Sequence, residues 1–530
     1  MTDYLIYRMM HLLTILITTT TLCLATNTII TLPGGRIQGG TNKDAHFWLN
    51  IPYAKPPVNE LRWRPPSYPA SMWNGTRDAT KQGYACLGPK ILHALTDGGG
   101  REDCLTLNIY APLVSPPMEN ALAPVVVFIP GGGFLAGDSS GDGMYDCSKL
   151  ASRTNTIYVV LQYRLGAFGF LAAPEINPEN DDVIARLGLL DQRAGLQFVR
   201  DNVHLFQGDK DQVTLWGQSA GGGSVLLHLA LEASWDFFHR VVSESPYFAP
   251  TGAASLTSES RWTRAKIQAN ALVSAVGCGG SDTNTTQLGE CMRSIPSHTI
   301  NDALKVNQEM LFLFEAPDAN FYPLWSTNQN QRLRPNTPVL MGNNMNESTL
   351  LSTMLHPEML LPTSEKELKD AVVHLWGENR SGMILNHYNE QIDGANNVAF
   401  FSAVSDACIN CPLRRWRQRL LLEGGAANTS NVYQYVFDAM SMSKLGVQHA
   451  AELPLVFNHE YMLLTKEVKE LSLQMVEMWN LFDKTGDPNG GVLSNVSWPK
   501  SSVSNKVMLF RGNRSHVIAD PFVRCFVWEE

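Results

Sequence analysis

Gly217-Gln218-Ser219-Ala220-Gly221 sets a serine between two glycines in the G-x-S-x-G spacing of a serine nucleophile. The same spacing recurs at Gly137-Asp138-Ser139-Ser140-Gly141, so the pattern by itself does not choose between Ser219 and Ser139. Their surroundings do. The β-rich run Val213 to Trp216 ends just before Gly217, and the helical pattern "VLLHLALEA" follows Gly221 to Gly223. A strand-to-helix turn this tight lifts its central side chain into the open. It also aims the new helix's N-terminal amides at charge developing beside the serine. Ser139 follows "GGGFLA" and leads into "GDGMYD", a loop on both sides, which suits a residue near a site mouth. Ser219 is therefore the expected nucleophile.

A hydroxyl attacks only when a base takes its proton, and the base must be held by an acid. His228 and His239 lie in the helix and strand that follow Ser219, too near in sequence. His449, in "SKLGVQHAAELPLVF", follows the strand-like run "NVYQYVFDA". His459 lies ten residues further, beyond an apolar run, and is the weaker choice. Glu347, in "NMNEST", follows the run "PVLMGN" and stands between serine and histidine in chain order. The oxyanion made by attack needs donors. Pro130-Gly131-Gly132-Gly133 follows the strand-like "VVVFI", and its bare amides can join that of Ala220 in a three-donor hole.

The elements that must place these residues alternate. "APVVVFIP" at 123–130, "NTIYVVLQY" at 155–163, "QVTLW", "HRVVSES" at 239–245, "PVLMGN" and "NVYQYVFDA" read as strands. "ARLGLLDQRAGLQFVRDNV" at 185–203 has helical spacing. This rhythm predicts an α/β fold with an open, mostly parallel central sheet and helices on both faces. Ligands of such sheets bind beyond the carboxyl ends of the strands, in the loops that carry Ser219, Glu347 and His449.

The chain has 530 residues, 44% of them hydrophobic, and a net charge of −9 with no basic run that would track phosphates; nucleic acid is not an expected partner. The opening "MTDYLIYRMMHLLTILITTTTLCLATN" has the basic Arg8, a short apolar run diluted by threonines, and small residues at Cys23 and Ala25. It reads as a secretory leader, residues 1–25, cleaved to release one unit over 26–530 with no stable membrane insertion. Nine cysteines less Cys23 leave eight, an even number suited to an oxidising compartment. Sequons at Asn74, Asn284, Asn379, Asn428, Asn495 and Asn513 are candidate glycan sites of a secreted, extracellular protein. A seventh, at Asn346, is expected to stay bare if Glu347 is buried.

These residues resemble the type-B carboxylesterase/cholinesterase family of α/β-hydrolases over nearly the whole mature chain. "IPYAKPPVNELRWRPP" at 51–66, "EDCLTLNIYAP" at 102–112, "YRLGAFGFL" at 163–171, "FQGDKDQVTLWGQSAGG", "MGNNMNEST" and "GVQHAAELPLVF" carry the likeness in order. The resemblance implies a serine ester hydrolase working through an acyl-enzyme on a small-molecule ester, with no metal or organic cofactor. It implies Ser219, Glu347 and His449 as triad, Gly132, Gly133 and Ala220 as oxyanion donors, and disulfides Cys86–Cys104 and Cys278–Cys291. Cys411 and Cys525 resemble a further family pair, which leaves Cys147 and Cys408 to each other.

Departures from the family bear on specificity. Pro130 stands where His or Tyr usually opens the oxyanion loop, and Gln207 where Gly or Arg is usual. Gln218 replaces the Glu that cholinesterases carry before the nucleophile, and no tryptophan lies between Cys86 and Cys104. Cation–π capture of choline then has no evident basis, so a general esterase is expected. A lipase, with "KILHALTDGGGRE" as a lid, and an inactive adhesion or binding relative are the alternatives.

Overall fold

The structure is a computed structural model of the chain. It describes residues 28–88, 100–113, 121–173, 176, 186–247, 258–279, 285–305, 332–348, 364–389, 396–423, 431–439, 446–493, 495–501 and 505–528. The leader read at 1–25, most of the proposed lid segment, Asn284 and Asn428 lie outside the described residues.

Among the described residues fourteen strands follow one another: β1 (Ile29–Leu32), β2 (Gly35–Gln38), β3 (Gly40–Thr41), β4 (Ala45–Pro52), β5 (Thr76–Asp78), β6 (Thr106–Pro112), β7 (Ala123–Ile129), β8 (Ile157–Leu161), β9 (Gly208–Gln218), β10 (Arg240–Glu244), β11 (Val339–Asn344), β12 (Val432–Phe437), β13 (Lys506–Arg511) and β14 (Arg514–Ala519). β1, β2 and β5 form a small sheet. The other 11 strands form the central sheet in the order β14-β13-β12-β11-β10-β9-β7-β8-β6-β4-β3. Its middle, β13 through β8, is parallel, and both edges turn antiparallel. This is the α/β-hydrolase architecture.

The parallel middle is legible in composition. β8 is buried throughout and β7 nearly so, because helices cover both faces. Side chains alternate across the sheet. Val125, Val127 and Ile129 join a core with Leu196 and Phe198 of helix Leu187–Asn202 and Leu226 of helix Ala220–Ala230. Val126 and Phe128 face the other way, toward Met475, Trp479 and Phe482 of helix Lys466–Thr485. Thr465 caps that last helix by accepting from Val468 N at 3.3 Å, and Gly486 ends it in the left-handed conformation. Among the described residues no helix is long and apolar enough to cross a membrane.

Candidate active site

Strand β9 runs two residues further than the apolar pattern suggests, to Gln218, and helix Ala220–Ala230 begins at the next residue but one. Ser219 alone makes the turn, with φ 59° and ψ −126°, a conformation that a non-glycine residue adopts only under constraint. The constraint is visible. Ser219 N donates to Glu244 O at 2.9 Å, and Ser219 O accepts from Gly223 N and Tyr247 N, both at 2.9 Å. The flanking glycines are steric necessities. A Cβ on Gly221 would lie 1.9 Å from Ile129 O, and one on Gly217 would lie 2.5 Å from Gly221 C. The helix axis therefore starts at the serine, and its first amides surround that residue.

The acid and the base come from the neighbouring strand ends. Glu347 sits three residues beyond β11, fully buried, and its Oε1 accepts from Asn344 N at 2.6 Å. His449 follows β12, in a loop pinned to the Glu347 loop: Asn346 N donates to Val447 O at 3.0 Å and Val447 N to Asn346 Oδ1 at 3.1 Å. This docking brings His449 Nδ1 to 2.6 Å from Glu347 Oε2. In the tautomer that donates Nδ1–H to this carboxylate, Nε2 is left to act as the base. Gln218 Nε2 lies 3.3 Å from His449 Nε2, so the amide donates there in this resting arrangement, where Ser219 Oγ must donate for attack.

The glycine loop after β7 packs against the elbow. A Cβ on Gly131 would sit 2.8 Å from Ser219 Cβ and 2.8 Å from Gln218 O. Only a residue without a side chain lets the loop come this close. Gly132 and Gly133 follow with φ 122° and 63°, and the loop closes through Leu135 N and Ala136 N donating to Gly132 O at 3.0 and 2.9 Å. Gly132, Gly133 and Ala220 thus share one end of the sheet with Ser219.

The other candidates lie elsewhere. Ser139 is buried, and its Oγ accepts from Asn108 Nδ2 at 3.0 Å. The Asp138 carboxylate ties the same loop by accepting from Ser140 N at 2.6 Å and Gly141 N at 2.7 Å. His459 donates to Met144 O at 2.5 Å and stacks on Phe457, and burial lowers its pKa. Buried His228 is bonded through both ring nitrogens, to Ser234 Oγ at 2.9 Å and Gln192 Oε1 at 3.1 Å; burial pulls its pKa down to about 3.

Cys86–Cys104, Cys278–Cys291 and Cys411–Cys525 are bonded. Cys147 and Cys408 are not bonded to each other: both are buried thiols in separate apolar clusters, Cys147 near Tyr110 and Tyr145, Cys408 near Phe400 and Trp376. Burial pushes both thiols well up. Asn74, Asn379 and Asn495 are exposed and Asn513 is half-buried. At Asn346 the sequon's serine, Ser348, is wholly buried and its loop is pinned.

Sequence reasoning did not single out Asn344, Glu244 or Glu452, and met Gln218 only as a departure from the cholinesterase pattern. A carboxylate three residues after the candidate base, in "HAAE", was the available signal for Glu452.

Residues 26–520 match the carboxylesterase family. The chain is 31% identical over 509 residues to the para-nitrobenzyl esterase of Bacillus subtilis, covering 94% of this chain and 97% of that protein. It is 31% identical over 520 residues to the acetylcholinesterase of Electrophorus electricus, covering 85% and 79%. A solved PNB esterase structure superposes with a TM-score of 0.74 at 29% identity, over 94% of this chain and 98% of the other.

Proposed function

Because the chain belongs to the carboxylesterase family and is a carboxylic-ester hydrolase, we propose that it cleaves small neutral esters through an acyl-enzyme on Ser219. One observation carries the reading. The buried Glu347–His449 pair, 2.6 Å apart, is docked beside a serine held at the tip of a strand-to-helix turn.

In this reading Ser219 Oγ attacks the carbonyl carbon while His449 Nε2 takes its proton. The amides of Gly132, Gly133 and Ala220 receive the oxyanion, and Glu347 stabilises the imidazolium. His449 then returns the proton to the leaving alcohol, and water repeats the cycle on the acyl-enzyme. The Gln218 amide must release Nε2 when Ser219 engages it. Gln218 also leaves the site without the carboxylate that would attract a cationic alcohol group, which supports neutral over choline esters.

Three disulfides support an oxidising destination, and with it the reading of 1–25 as a cleaved leader, a secreted product over 26–530 and glycans at the exposed sequons. The test is labelling with a fluorophosphonate followed by peptide mass spectrometry. A single adduct on Ser219, blocked by prior incubation with a neutral ester, is the expected result. An adduct elsewhere, or none in protein that hydrolyses esters, would overturn the reading.

A further inference from the structure

Two asparagines end β11 side by side. Asn343 pairs with Val436 and Asn344 with Phe437, which belong to separate apolar clusters, so the sheet sends the two side chains to opposite faces. Both asparagines are wholly buried, and the Oδ1 of each has no hydrogen-bond partner. What distinguishes them is where Nδ2 donates. Asn343 Nδ2 donates to Asn344 O and to Asn410 Oδ1, both at 3.0 Å, the latter at the end of the π-helical turn Asp406–Asn410. Asn344 Nδ2 donates into the loop after β12, to Gln448 O at 2.8 Å and to Glu452 Oε2 at 2.5 Å. A main-chain carbonyl can only accept, so Gln448 O fixes which end of the amide faces this loop.

The two bonds bracket the base. His449, Ala450 and Ala451 lie between Gln448 and Glu452. Ala450 has φ 67°, in the left-handed region that a residue with a Cβ enters at a cost. Ala451 N donates to Gln448 O at 3.1 Å and closes the turn, and Asn344 Nδ2 shares that carbonyl. The Asn346–Val447 bonds hold the loop ahead of the base, whereas those of Asn344 hold it on both sides. The main chain of the same asparagine holds the acid. Asn344 N donates to Glu347 Oε1 at 2.6 Å, which leaves Oε2 for His449 Nδ1 at 2.6 Å.

We propose that Asn344 is a positioning residue of this hydrolase. Its side-chain amide sets the strained turn that carries His449, so that the imidazole meets the carboxylate held by its backbone N–H. A buried asparagine in this place acts through His449 and Glu347 and not on the substrate.

The effect on rate rests on the triad reading above, but the hold on the Glu347–His449 pair does not, and the test separates the two. Asn344→Ala and Asn343→Ala remove equally buried amides from adjacent positions, so a role in stability alone would give both the same outcome. Each full-length variant is read by its Tm, by kcat and KM on a neutral ester, and by the far-downfield proton NMR line of an imidazole N–H bonded to a carboxylate. Asn344→Ala should weaken or lose that line and lower kcat by about 10–100-fold with KM within about twofold of the parent. Asn343→Ala should lower Tm comparably and keep the parent's line and kcat. Equal losses of line and kcat in the two variants, or a parental line and kcat in Asn344→Ala, would overturn the proposal. If Asn344→Ala does not fold, Glu452→Gln and Glu452→Leu decide. Both remove the carboxylate, and glutamine alone keeps an oxygen for Asn344 Nδ2, so the line should persist in the first and fade in the second; the same line in both overturns the proposal. A parent that shows the line yet forms no acyl-enzyme, with the line lost in Asn344→Ala, would leave the clamp standing and remove the triad reading.

Discussion

Gly217–Gly221 and Gly137–Gly141 have the same spacing of glycine and serine and opposite surroundings. The first begins where β9 ends in the parallel middle of the sheet, so its serine projects beyond the strand ends beside the loops after β11 and β12. The second lies in a loop that folds back on itself, where Asp138 satisfies the local amides and Asn108 occupies the serine oxygen. Both serines are nearly buried, at 5% and 2% exposure, so burial does not separate them. What differs is the surroundings: Ser139 Oγ accepts from the Asn108 amide, and Ser219 follows Gln218, whose Nε2 lies 3.3 Å from His449 Nε2. Glycines permit a turn, and the neighbouring strands decide what it presents.

The sharpest way to break this comparison is to remove each hydroxyl. Ser219→Ala should lower kcat/KM for a neutral ester by about 10⁴–10⁶-fold with the thermal unfolding midpoint nearly unchanged. A comparable loss in Ser139→Ala would make the two stretches equivalent.

The two histidines near the site extend the contrast. His449→Ala should abolish fluorophosphonate labelling of Ser219 while far-ultraviolet circular dichroism stays the same. His459→Ala should leave the labelling rate intact and cost about 1 kcal/mol in denaturant unfolding, because it loses the bond to Met144 O. Labelling of His449→Ala at the parent rate would exchange their roles.

The elbow helix carries an acid sensitivity of its own. His228 has a folded pKa of about 3, below its ordinary 6.5. The unfolded chain binds its proton below 6.5 and the folded chain does not, so acidification favours unfolding. Between those limits His228 should cost about 1.4 kcal/mol of stability per pH unit. His228→Asn should flatten the slope of unfolding free energy against pH by one proton in that window, and an unchanged slope would show that His228 is protonated in the fold.

Gln218 sharpens the comparison at the level of substrate. A choline ester should react no more than tenfold faster in kcat/KM than a neutral ester of equal acyl group and bulk, a margin of about 1.4 kcal/mol. A larger preference would reveal a cation site outside the elbow. The smallest effect belongs to Ser139→Ala, which should cost about 1 kcal/mol in unfolding through the lost Asn108 bond and leave kcat/KM unchanged.

The sequence by itself determined the local pieces. The valine-rich runs of β7 and β8, the helix at Leu187–Asn202 and the turn at Ser219 depend on spacing and backbone sterics within a few residues, so they are legible without neighbours. Chain order and the strand-loop context also singled out Glu347 and His449 as candidates. The tertiary structure decided the contacts between strands: that the loops after β11 and β12 dock through Asn346 and Val447, that Gln218 occupies His449 Nε2, and that Cys147 and Cys408 sit in different clusters. It also decided that Glu244 and Glu452, 208 positions apart in sequence numbering (452 − 244), are both wholly buried. Such pairings follow from strand order and register. These are fixed by the packing of the whole sheet, so no short stretch of sequence records which side chains will meet.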